Sequence, residues 1–208
     1  MSNKDYLSIV THYENCLQKH GDTHLGVDWP NPEDANTRYQ IMLEVIKTKP
    51  KFCTLLDFGC GTSHLYDYMV KNSITDIKYY GLDISEKFIE CSKQKFPDVT
   101  YYCLDILDRN EQLPEFDYII MNGVFTEKRG ISFETMINYF QDIIKILFAK
   151  TKVGIAFNVM SKQVDWERED LFHLPFDTLA NFLTKEISRN FIVRNDYKLY
   201  EYTTYVYH

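Results

Sequence analysis

Leu55-Leu56-Asp57-Phe58-Gly59-Cys60-Gly61-Thr62-Ser63-His64 joins an apolar run to an acid and two closely spaced glycines. A glycine has no Cβ, so the backbone at Gly59 and Gly61 can turn sharply and let a ligand approach closely. Leu65-Tyr66-Asp67-Tyr68-Met69 then reads as a helix opening behind that bend, the arrangement in which a strand-to-helix turn cradles a nucleotide. The next apolar run, Ile77 to Ser85, carries Asp83 roughly 20 residues beyond the glycines, where a carboxylate at a strand end can accept from both ribose hydroxyls. An adenosine-bearing ligand is therefore expected. The third glycine of the dinucleotide fingerprint is missing from Gly59-Cys60-Gly61-Thr62-Ser63-His64, which disfavours a nicotinamide oxidoreductase.

Outward from this stretch, strand-like and helix-like segments alternate, the rhythm of a parallel sheet covered by helices. Strands are expected near 53–58, 77–83, 99–104, 116–122 and 153–159, with helices near 36–48, 64–71, 85–95 and 133–149. In the last helix Phe133, Met136, Ile137, Phe140, Ile143, Ile144 and Leu147 recur at three- and four-residue spacing, an apolar face for a sheet. After a helical stretch through Phe182, Asn190 to Arg194 and Tyr200 to Tyr207 form two strands separated by only Asn195 to Leu199. So short a link requires antiparallel pairing.

Taken together, Asp57-Phe-Gly-Cys-Gly, Gly81-Leu82-Asp83, Asp105-Ile106 and Phe116-Asp117-Tyr118-Ile119-Ile120 resemble a class I S-adenosylmethionine-dependent methyltransferase over residues 36–208. The resemblance implies an α/β, Rossmann-like seven-stranded sheet of order 3-2-1-4-5-7-6 with the last strand antiparallel and helices on both faces. It implies S-adenosylmethionine as cofactor and S-adenosylhomocysteine as product. Within that pattern Asp57 organises the loop near the methionine amino group, Asp105 accepts from the adenine amino group and Ile106 or Leu107 flanks the ring. Cys60, Ile84 and Gly123 complete the cofactor set, and Asn122 meets the methionine end. Arg38, beside Tyr39 on the helix before the first strand, stands where a guanidinium could pair with the methionine carboxylate. Phe125 is expected to shape the acceptor pocket. No Asn/Asp-Pro-Pro-aromatic run follows the fourth strand, which weakens the reading of an enzyme that methylates base or glutamine amino groups.

A hydroxyl acceptor needs a base at or before methyl transfer. His24, His173 and His20 are the candidates, the first and last on the segment before the first helix and His173 in the loop after the fifth strand. Tyr13, Trp29 and Tyr39 could line the sulfonium or the acceptor by cation–π attraction, although with 16 tyrosines and 14 phenylalanines most aromatics must be core. Lys128 and Arg129 could hold an anionic handle on the acceptor. The leader, residues 1–35, is read either as a lid over the cleft or as a helix packed outside the sheet, with residues 36–208 as the methyltransferase domain.

Composition bounds the partners. The chain of 208 residues has 23 basic and 30 acidic side chains, and its net charge of −7 argues against a nucleic-acid track or an anionic membrane surface. A small-molecule acceptor is favoured, with an RNA or protein methyltransferase and a non-catalytic cofactor-binding partner subunit as the alternatives. Five cysteines form no CxxC pair or His/Cys metal spacing, so no metal is expected. The opening Met-Ser-Asn-Lys-Asp-Tyr lacks a signal-peptide pattern, and a reducing cytoplasm is the expected compartment. The oligomeric state is left open.

Overall fold

A computed structural model of the chain describes residues 4–47, 52–108 and 112–208. Helix α1 (Leu7–His20) and a 3-10 turn (His24–Val27) lead into α2 (Pro32–Leu43). Then follow β1 (Cys53–Phe58), α3 (His64–Lys71), β2 (Ile77–Asp83), α4 (Glu86–Lys95) and β3 (Thr100–Cys103). The second half comprises β4 (Phe116–Phe125), α5 (Phe133–Phe148), β5 (Thr151–Ser161), β6 (His173–Leu174), α6 (Phe176–Phe182) with a π turn to Ile187, β7 (Phe191–Arg194) and β8 (Glu201–Tyr207).

The sheet runs β3-β2-β1-β4-β5-β8-β7, with the two-residue β6 pairing beside β5. Neighbours from β3 to β5 are parallel, whereas β8 is antiparallel to both β5 and β7. Leaving out β6, this is the expected order 3-2-1-4-5-7-6. The eighth strand is the difference, since a two-residue strand carries no period-2 signal.

Alternation along each strand divides the core into two layers. Leu56, Phe58, Ile119 and Met121 join α5 and α6 on one face, while Leu55, Tyr118 and Ile120 join α2 and α3 on the other. On α5, Met136, Phe140, Ile143, Ile144 and Leu147 are buried as their spacing dictates; Phe133 is half-exposed at the helix start. Full burial of each such side chain contributes roughly 1.5–3 kcal/mol.

Two boundaries depart from expectation. Helix α2 begins at Pro32 rather than 36, because the Asn31 side chain accepts from the Glu33 amide at 3.0 Å and proline suits the first helical turn. It ends at Leu43; the expected limit at 48, like the opening residues 1–3, lies outside the described residues. Strand β4 runs through Asn122-Gly123 to Phe125, with a register shift against β5 between Met121 and Phe125 and Gly123 at φ 81°. The sequence Asn-Gly here makes a bulge instead of ending the strand.

Candidate functional site

The cleft forms where β1, β2 and β4 end. Gly59 and Gly61 adopt φ of 75° and 53°, and a Cβ on Gly59 would lie 2.6 Å from Val124. The loop is tied to β2 through its amides: Gly59 and Cys60 donate to the Leu82 carbonyl at 2.8 and 2.9 Å, and Gly61 donates to Asp83 Oδ2 at 2.9 Å. Asp83 Oδ1 accepts from the Ser85 amide at 2.9 Å, so one carboxylate fixes both the glycine loop and the start of α4.

Asp57 pairs in register with Gly81, two residues before Asp83 on the adjacent parallel strand, so both acids project from the same sheet face. Both are buried and line one cleft. The Tyr79 hydroxyl donates to Asp57 Oδ2 at 2.8 Å. Burial, outweighing that hydrogen bond and reinforced by the charge of Asp83, pushes Asp57 up to about 7. Burial likewise raises Asp83 to about 6 against its backbone hydrogen bonds. Cys60 is buried, and burial beside the two acids pushes its thiol well above the usual range.

Asp105 Oδ1 accepts from the Leu107 amide at 3.1 Å, while Oδ2 accepts from the Tyr6 hydroxyl at 2.6 Å and pairs with Lys4 at 3.3 Å. Tyr6 also stacks on Tyr139, ring centres 4.9 Å apart. Thus α1 lies over the strand ends. Glu14 accepts from Ser85 and from Lys87, each at 2.6 Å, and these contacts hold its carboxyl below the usual range. Beyond α1, Asp22 meets His64 at 2.8 Å and Lys95 at 2.7 Å. Burial opposes ionisation of Asp22, but Lys95, Thr62 and His64 together hold it low. Trp29 covers Gly123, where a Cβ would sit 3.2 Å from its ring.

Of the residues expected around the cofactor, Asp57, Gly59, Cys60, Gly61, Asp83, Ile84, Asp105, Ile106, Asn122, Gly123 and Tyr39 line this cleft, and so do Tyr13 and Trp29. Asn122 Oδ1 is buried there with no hydrogen-bond partner. Arg38 does not line it. Its Nε donates to both oxygens of Glu201 at 2.9 Å, and the pair is joined by Asn158, which donates to Glu201 at 2.9 Å and accepts from the Gly123 amide at 2.8 Å. The guanidinium also lies 5.0 Å from the Trp29 ring centre. A buried carboxylate on β8 thereby claims the cation expected to meet the cofactor.

Phe125 is fully buried, packed edge-on against Phe140 at 5.0 Å, because its register on the bulged strand turns it into the α5 layer instead of the cleft. None of the three nominated histidines lines the cleft among the described residues. His24 Nδ1 lies 2.6 Å from the Trp29 carbonyl and must donate to it. His20 is the last residue of α1 and does not line the cleft. Buried His173 donates from Nδ1 to the Ser161 carbonyl at 2.6 Å and accepts at Nε2 from the Arg168 amide at 3.2 Å, so both ring nitrogens are occupied by backbone. Lys128 and Arg129 border a separate recess with His173, and Arg129 is paired with Glu127 at 3.3 Å and Asp170 at 3.6 Å. Sequence reasoning passes over Tyr6, Glu14, Asp22, His64 and Tyr139. His64 alone carried a signal, standing at the end of the glycine motif; burial, then Lys95, lowers its pKa.

Comparison with known proteins agrees with this geometry. A family model described as a methyltransferase domain matches residues 56–147. The Mycobacterium tuberculosis (strain ATCC 25618 / H37Rv) protein named "Putative methyltransferase Rv1506c" is 26% identical over 153 residues, covering 72% of this chain and 90% of that protein. Among solved structures, magnesium protoporphyrin IX methyltransferase (ChlM) from Synechocystis PCC 6803 with bound SAM superposes with a TM-score of 0.64 at 16% identity, covering 100% of this chain and 99% of that one. The N-methyltransferase NodS from Bradyrhizobium japonicum WM9, in complex with S-adenosyl-L-homocysteine, gives 0.64 at 14% identity over 99% of both chains.

Proposed function

We propose an acceptor for this chain on the footing that it is a class I S-adenosylmethionine-dependent methyltransferase: a small polar metabolite, methylated at oxygen or nitrogen. The observation that carries this reading is the covered cleft. Helix α1 is pinned across the strand ends by Tyr6 to Asp105 and by Glu14 to Ser85, and Tyr13, Trp29 and Tyr39 line what remains. Such a site suits a molecule small enough to be enclosed, and the net charge of −7 gives a polyanion little attraction. Among the described residues, no helix is long and apolar enough to cross a membrane.

The residues suit the donor. Asn122 Oδ1 is a buried acceptor lacking a donor, and Asp57 and Asp83 are carboxylates raised by burial that a cationic ligand would favour in ionised form. When bound, S-adenosylmethionine supplies an electrophilic methyl group and leaves as S-adenosylhomocysteine. We assign Asp83 to the ribose hydroxyls, Asp105 and Ile106 to the adenine, and Asp57, Asn122 and the Gly59–Gly61 backbone to the methionine end. A carboxylate has about four acceptor sites, so Asp83 and Asp105 retain capacity beyond their present bonds. Arg38 acts through Glu201 and Asn158 to hold Gly123, as a positioning residue. Residues 1–35 serve as a lid on the 36–208 domain, excluding water during transfer.

The test is a screen with tritiated methyl donor against pooled metabolites, transfer RNA and protein. Label in the small-molecule pool, abolished by Asp83→Ala, is expected. Label entering only RNA or protein would replace this reading, and binding of donor and product without any transfer would favour a partner subunit.

A further inference from the structure

His12 and Cys16 stand four residues apart on α1, and Asp28 follows the 3-10 turn; their donor atoms lie within 4.8 Å of one another. We propose that these three residues bind a divalent transition-metal ion of the zinc class, leaving a fourth coordination position open. The expectation of no metal passes over this set, because one thiol and one imidazole at i, i+4 are too few ligands by themselves and the third, Asp28, is brought in by the fold.

The spacings suit the ion. His12 Nε2 and Cys16 Sγ are 3.8 Å apart. A tetrahedral zinc with its usual bonds to sulfur and nitrogen separates those atoms by roughly 3.5 Å. His12 Nε2 and Asp28 Oδ2 are 2.7 Å apart, the length of a hydrogen bond. Metal binding requires that pair to open by roughly half an ångström, which the Asp28 side chain can do, being 40% exposed. Its only ion-pair partner among the described residues is His12, so no lysine or arginine competes for it. One thiolate, one imidazole and one carboxylate suit zinc or cobalt better than the all-oxygen preference of magnesium or calcium. On coordination Cys16 forms the sulfur–metal bond and releases its proton to solvent, while the His12 proton moves from Nε2 to Nδ1.

The place is informative as well. Tyr13 and Trp29 adjoin His12 and Asp28 in sequence, and both line the cleft. An ion held here would staple α1 to the chain entering α2, fixing the leader across the strand ends. The site does not depend on which acceptor is methylated.

Cobalt(II) titrated into the full chain provides the test, read by absorption and independent of methyl transfer. The expected result is one equivalent bound, with a sulfur-to-cobalt charge-transfer band and the visible bands of a tetrahedral ion, bleached by zinc. Cys16→Ser removes the charge-transfer band, and Cys103→Ser, at an exposed thiol, retains it. Asp28→Asn can still accept the hydrogen bond from His12 and so keep the leader in place, but it weakens cobalt binding at least about tenfold. No charge-transfer band, its persistence in Cys16→Ser, or unchanged affinity in Asp28→Asn would overturn the assignment.

Discussion

Asp83 reaches across from β2 to hold the amide of Gly61 at 2.9 Å, so the acid proposed to grip the ribose also sets the shape of the glycine loop. Its second oxygen does the same for Ser85 at 2.9 Å. Asp83→Ala therefore leaves two backbone donors without partners and removes the ribose acceptor. Calorimetry should record at least about a hundredfold loss of S-adenosylhomocysteine affinity, roughly that of two charge-assisted hydrogen bonds, with thermal unfolding lowered by about 1–3 kcal/mol. Undiminished affinity would show that the ribose is held elsewhere.

The pH response follows from the raised cleft acids. With Asp57 at about 7 and Asp83 at about 6, against 3.8 for a free side chain, the folded protein binds more protons than the unfolded chain between those values. Stability of the ligand-free protein should thus be fullest below about pH 4 as far as these groups decide it, and fall as pH rises through about 7. Asp57→Asn should flatten the upper part of that decline in denaturant titrations. Affinity for the cationic donor should run the other way, rising over the same interval as the carboxylates ionise.

Removing one hydroxyl should loosen the leader. Tyr6→Phe keeps the stack on Tyr139 but loses the bond to Asp105. Limited proteolysis should cut the leader several-fold faster in this variant, and saturating S-adenosylhomocysteine should restore protection. Equal cleavage rates with and without ligand would argue against a lid.

Arg38 separates a structural role from direct donor contact. Glu201 is only 1% exposed and takes both its oxygens' partners from Arg38 and Asn158. Arg38→Ala should destabilise the fold by about 3–5 kcal/mol, the cost of an uncompensated buried charge. Adding Glu201→Gln should recover a large part of that loss; a direct ligand contact would show no such recovery in donor affinity.

The parallel half of the sheet was legible because its strands are apolar runs that alternate with helices carrying apolar stripes. Antiparallel β7 and β8 followed from the short link at 195–199. The grouping of Asp57, Asp83 and Asp105 around one cleft was legible too, since the three stand at or just beyond strand ends that sequence order locates. The leader was not. Its contacts, Tyr6 with Asp105 and Glu14 with Ser85, join positions 99 and 71 residues apart, and no local pattern announces them. Arg38 and His173 were misread because the groups that occupy them, Glu201 and two backbone atoms, are set by tertiary packing. Phe125 was misread because a bulge changes which face a residue meets.

Arg38 and Glu201 are separated by 163 positions, yet their pairing supports the floor under Gly123 through Asn158. A loop so long closes late, after the local helices and neighbouring strands have formed. Donor affinity is then a property acquired only on completion of the tertiary structure, and added donor or product should raise the melting temperature of the whole molecule instead of protecting the amino-terminal half alone.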